Sequence, residues 1–162
     1  MNNMAAKDNY IEEAQSRIRT FRERRSDTLD LSDLGLKQVP EEINNIGYLK
    51  GLNLSENALT TLPDSIIEFP CLEYLDLSYN KLSELPKEIG NFTALERLYL
   101  RCNKIKSIPE SIENLTMLNI LDISYNRLVN LPESINNLIN LKHCNIKGNN
   151  LKSIPSKVAE IE

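Results

Sequence analysis

His143 and Cys144 stand side by side near the end of the chain, and a thiol next to an imidazole is a pairing that nucleophilic catalysis uses. Asp30, Asp76 and Asp122 form a second candidate set, because carboxylates are what a hard cation takes. A third set joins Tyr74, Tyr79, Tyr99 and Tyr125 to Arg97 and Arg101, the residue types enriched where proteins bind one another tightly. Which set can act depends on the elements that hold it.

Those elements are written by repetition. Asn57, Asn80, Asn103, Asn126 and Asn149 are each 23 residues apart, and so are Pro40, Pro63, Pro86, Pro109, Pro132 and Pro155. Six units follow, starting at Ser26, Leu49, Leu72, Leu95, Leu118 and Leu141. In the unit from Leu95, the alternation Leu98, Tyr99, Leu100 is that of a short strand with its leucines inward. Pro109 then takes the expected first helical position, with Ile112 and Leu115 three apart behind it, which predicts one or two helical turns. Strand, loop, helix and loop repeated in one sense place parallel strands about 4.8 Å apart, with the wider helices on the outside of a curve.

This arrangement decides among the three sets. Neighbours on a strand point to opposite faces, so His143 faces out while Cys144 takes a core-leucine position; the two do not meet. Asp76 and Asp122 are two units apart, about 10 Å, too far to share a metal. No phosphate loop, GxSxG or HExxH is present. The residues therefore predict no catalytic centre, no cofactor, no metal and no small-molecule substrate. The asparagine column is read as structural: its amide bridges turn backbone of adjacent units, and the first unit, with no unit before it, has Leu34 there instead.

With an LxxLxLxxNxL core in each unit, the chain from Ser26 onward resembles the leucine-rich-repeat family. The continuation seen as Leu85, Pro86 and Ile89, or Leu131, Pro132 and Ile135, resembles the class of Ras-suppressor-type scaffolds and plant intracellular Ras-group proteins. Bacterial proteins directed at host cells use it too. The resemblance implies an α/β fold, a curved solenoid of six short parallel strands on the concave side and short helices on the convex side. It also implies a protein-interaction module serving as a signalling scaffold or host-directed effector. The alternative it leaves open is the substrate-recognition fragment of a larger enzyme such as a leucine-rich-repeat ubiquitin ligase.

Residues 1–25 are read as a separate start to the 26–162 repeat domain. Residues 1–7 are expected to fray, Asp8 to cap a helix over 9–24, and Tyr10, Ile11, Ala14, Ile18 and Phe21 to form its apolar stripe. That stripe suits a cap over the exposed first unit. The helix end is basic, with Arg17, Arg19, Arg22, Arg24 and Arg25. This is read as a solvated face, with recruitment to an acidic membrane as the weaker alternative.

The concave face is then read from the outward positions. The expected partner site comprises Tyr74, Asp76, Tyr79, Arg97, Tyr99, Arg101, Asp122, Tyr125 and His143, and it suits a protein or peptide. Part of this surface repeats in other units as Asp and Ser, and Arg97 with Asp76 also reads as a simple cross-strand ion pair. Tyr48 is left for a convex loop. A net charge of −4 argues against a nucleic-acid partner. The opening residues lack the basic start and apolar run of a secretory leader. Three cysteines, an odd number without a CxxC, fit a reducing compartment. The cytoplasm is the expected location, or a host cytosol if the source is bacterial. Asn53, Asn91 and Asn114 head glycosylation-type triplets that an Asn-rich chain produces by coincidence.

Overall fold

The computed structural model describes residues 2–44, 46–63 and 69–161. The helical half of the second unit, Asp64 to Glu68, lies outside the described residues.

Six strands form one parallel sheet in chain order: β1 Thr28–Asp30, β2 Gly51–Asn53, β3 Tyr74–Asp76, β4 Arg97–Tyr99, β5 Ile120–Asp122 and β6 His143–Asn145. Equivalent positions lie opposite one another throughout, so Leu29, Leu52, Leu75, Leu98, Leu121 and Cys144 make one buried row. The strands stop after three residues because the chain turns sharply. Asp33, Glu56, Tyr79, Cys102 and Tyr125 all have φ between 53° and 56°, and Gly148 has φ 73°. This left-handed step turns each chain from the sheet towards its asparagine.

The asparagines close the turn. Asn80 Nδ2 donates to the carbonyls of Leu54, one unit back, and of Leu77, while its Oδ1 accepts from Leu59 N at 2.9 Å. Asn57, Asn103, Asn126 and Asn149 repeat this pattern. In each case one donated and one accepted bond reach the preceding unit, which accounts for Leu34 in the first.

The convex segments Glu41–Ile43, Lys87–Asn91, Glu110–Asn114 and Glu133–Asn137 are 3-10 turns rather than α-helix. Their prolines sit one position earlier than expected, as extended N-caps with ψ of 132–150°. The Pro86 carbonyl accepts from Ile89 N, three residues on. A 3-10 turn rises about 2.0 Å per residue, so a few residues cover the back of a unit before Phe92, Leu115 or Leu138 turns inward. The last unit closes differently, with the short α-helix α2, Ser156–Ile161, burying Val158.

At the other end, α1 spans Asn2–Arg24. It begins well before the expected cap at Asp8, because Met4, Ala5, Ala6 and Lys7 are strong helix formers that carry it onward. Ala14, Ile18 and Phe21 are buried as expected, but Tyr10 and Ile11 are about half exposed. The Tyr10 ring lies against the bare backbone of Gly35 in the first unit with one side open to solvent. Tyr48 is not an idle loop residue: its ring stacks on Phe21 at 5.7 Å with 6° between planes. Two of the basic residues at the helix end tie the cap down. Arg17 donates to the Ser32 carbonyl and pairs with Glu13, and Arg22 donates to the Glu42 carbonyl. Glu42 also accepts from Gln15 at 2.8 Å. One core runs unbroken from Ala14 to Val158.

Candidate binding face on the sheet

The in-register pairing places Tyr74 of β3 opposite Arg97 of β4, and Asp76 opposite Tyr99. The Arg97 guanidinium lies 5.3 Å from the Tyr74 ring centroid, and the Tyr74 and Tyr99 rings meet at 5.7 Å, tilted by 53°. Arg97 therefore settles on an aromatic face, not on Asp76. Among the described residues it makes no ion pair. Asp76 is engaged elsewhere: Oδ1 accepts from Ser78 N at 2.8 Å and Oδ2 from the Tyr74 hydroxyl at 3.2 Å. Burial, helped by the charge of the Asp76 carboxylate that accepts its hydrogen bond, pushes the Tyr74 phenol up to about 12.

A second cluster sits one turn further along. Tyr79 and Tyr125 occupy the left-handed position of the third and fifth units, and Arg101 of the fourth unit reaches both. Its Nε donates to the Tyr79 hydroxyl at 3.1 Å, and its guanidinium carbon lies 4.6 Å from the Tyr125 centroid. That hydrogen bond raises the already high pKa of the guanidinium. Both tyrosines stay nearly half exposed.

The other expected residues fall outside these clusters. Asp122 takes Ser124 N on one oxygen and the Asn145 amide on the other. Asp30 takes Ser32 N in the same way. The recurring Asp–x–Ser is thus a turn device. His143 is exposed on the edge strand and lies opposite Ile120, away from both arginines. Cys144, its neighbour, is buried. Among the described residues no group of three or more His, Cys, Asp or Glu is placed to hold a metal ion.

Two glycines matter that sequence reasoning passed over. A Cβ at Gly51 would stand 2.8 Å from the Thr28 hydroxyl, so this glycine lets the Thr28 side chain lie across it; Thr28 in turn lines a notch of about 340 Å³ with Asp30, Asn53, Tyr74 and Arg97. A Cβ at Gly148 would come 2.7 Å from the Tyr125 ring, so this glycine gives that ring its place. The available signal was modest: Gly148 is the one glycine in the column of Asp33, Glu56, Tyr79, Cys102 and Tyr125.

Residues 68–160 match a family model described as a leucine-rich repeat region, and residues 27–82 match one described as a leucine-rich repeat. The chain belongs to the leucine-rich-repeat family. Comparison with curated proteins returns no match.

This leucine-rich-repeat chain is similar to a leucine-rich-repeat protein of Leptospira interrogans, 32% identical, with a TM-score of 0.63 over 78% of this chain and 38% of that one. It is also similar to the ectodomain of a plant membrane receptor kinase from Arabidopsis thaliana, in complex with Casparian strip integrity factor 2. There the identity is 33% and the TM-score 0.68, over 76% of this chain and 15% of that one. A third similar structure is the TLR13–ssRNA13 complex, with 27% identity and a TM-score of 0.69 over 77% and 18%. The chain thus spans less than two-fifths of the length of each of these three structures. Among its own described residues, no helix is long and apolar enough to cross a membrane.

Proposed function

We propose that this protein is a non-catalytic binding module that docks a protein or peptide on its concave face. The observation that carries the reading is the pair of arginine–tyrosine clusters in units three to five. Rigid aromatic rings and planar guanidinium groups concentrate there on one side of a sheet. Tyrosine supplies contact area at little conformational cost and arginine a planar fork of donors, and both are enriched among the residues that anchor protein interfaces. A receptor-kinase ectodomain that carries a bound factor on the same fold supports a polypeptide ligand. A signalling scaffold, a host-directed effector and the recognition part of a larger enzyme would all use this face. The spread of Cys71, Cys102 and Cys144 over different units supports a reducing, cytoplasmic setting.

The test is affinity capture from source-cell lysate with mass spectrometry, comparing the wild type with the Tyr99→Ala, Arg101→Ala double variant. The reading expects the variant to lose the specific partner. Equal recovery of the same proteins by both would place the site elsewhere.

A further inference from the structure

The charged groups of the concave face differ in how far they are already satisfied. Both oxygens of Asp76 and of Asp122 accept hydrogen bonds within the sheet and its turns. The arginines are held in place without being neutralised. Arg101 uses Nε on Tyr79 and lies over the Tyr125 ring, and among the described residues its two terminal nitrogens have no acceptor. Arg97 rests on Tyr74, and among the described residues neither arginine meets a carboxylate. A guanidinium with unused N–H groups presents a planar fork that fits a carboxylate.

The remaining charges are sorted along the sheet. Asp30, Asp33 and Glu56 are exposed on the first two units, while Lys147 adds an exposed cation on the last. We infer that the partner is an acidic peptide segment whose side-chain carboxylates lie across units three to five on Arg97 and Arg101. The acidic first units repel that stretch, so the ligand sits in one position rather than sliding along the groove. This rests on the concave face being the docking surface.

The probe is a displayed library of random dodecapeptides, selected on the full chain and on the Arg97→Gln, Arg101→Gln variant, with urea melts confirming that the variant folds. Wild-type selections should be enriched in Asp and Glu. Synthetic copies should bind the variant about tenfold or more weakly, since each lost bond is to a charged group. Their binding should also weaken as salt rises, and replacing their Glu by Gln should cost nothing further on the variant. Neutral or basic peptides that still depend on Tyr99 and Tyr125 would overturn the acidic assignment and leave the concave face as the site. Peptides indifferent to all four residues, or no selectable peptides, would overturn both. A single-stranded RNA oligonucleotide that bound through Arg101, more tightly than any selected peptide, would overturn the peptide assignment in favour of nucleic acid.

Discussion

Asn103 Nδ2 donates to the Leu77 carbonyl at 2.9 Å, a bond that leaves its own repeat and ends in the one before. The return bond, from Leu82 N to Asn103 Oδ1, is 3.0 Å. Both ends are buried, so Asn103 joins two units by groups largely removed from water. In a protein whose units touch only their neighbours, such bonds are interface terms, and stability is close to their sum with the packing.

Replacing Asn103 by Leu should therefore lower stability by about 1 to 3 kcal/mol, because it strands buried backbone partners in two units. A urea melt reads it directly, and an unchanged midpoint would remove the argument.

The cap is expected to be as important as any repeat. Phe21 is 4% exposed and stacked on Tyr48, and Phe21→Ala should cost about 3 to 5 kcal/mol. Arg19→Ala, on the solvent side of the same helix, should change stability by no more than about 0.5 kcal/mol. Thermal melts of the two variants should differ accordingly; equal melting temperatures would mean that α1 is not a cap.

Tyr74 gives a spectroscopic mark. Its phenol is held up to about 12 against an ordinary 10.0, first by burial and then by Asp76. The folded value exceeds the unfolded one. The stabilisation is therefore fully present below about pH 10 and is lost as pH rises through about 12. Ultraviolet titration of the phenolate band should show one late tyrosine, absent in Tyr74→Phe. Simultaneous ionisation of all the tyrosines would contradict the geometry.

Gly148→Ala tests the second cluster from behind. The new methyl would meet the Tyr125 ring at a residue whose φ is +73°. A loss of about 1 to 2 kcal/mol is expected from the backbone conformation alone. Displacement of Tyr125 should also shift its ring resonances in proton NMR. An unmoved Tyr125 spectrum would show that the glycine does not set the ring's place.

Much of this was legible in the chain itself. Two periodicities alternate within each unit, and the unit recurs without insertion from Ser26 onward. Strand number, parallel order, register and the inward row of leucines all follow from that. Leu34 in place of an asparagine announced the end of the stack. The cap was partly legible: Ala14, Ile18 and Phe21 keep helical spacing, but nothing in it says where unit one ends. The exposure of Tyr10 and the seat of Tyr48 on Phe21 were therefore hidden.

The candidate site divides along the same line. Sequence alone determined which side chains leave the concave face, because alternation along a strand is a local property. Only the tertiary structure decided what they touch there. Register set Tyr74, not Asp76, beside Arg97; the left-handed turn lifted Tyr79 and Tyr125 to either side of Arg101. The Asp–x–Ser turn took up the carboxylates that would otherwise have paired with the arginines. A period specifies which residues line up, whereas partner choice depends on side-chain reach across neighbouring strands, and that exists only once the strands are stacked.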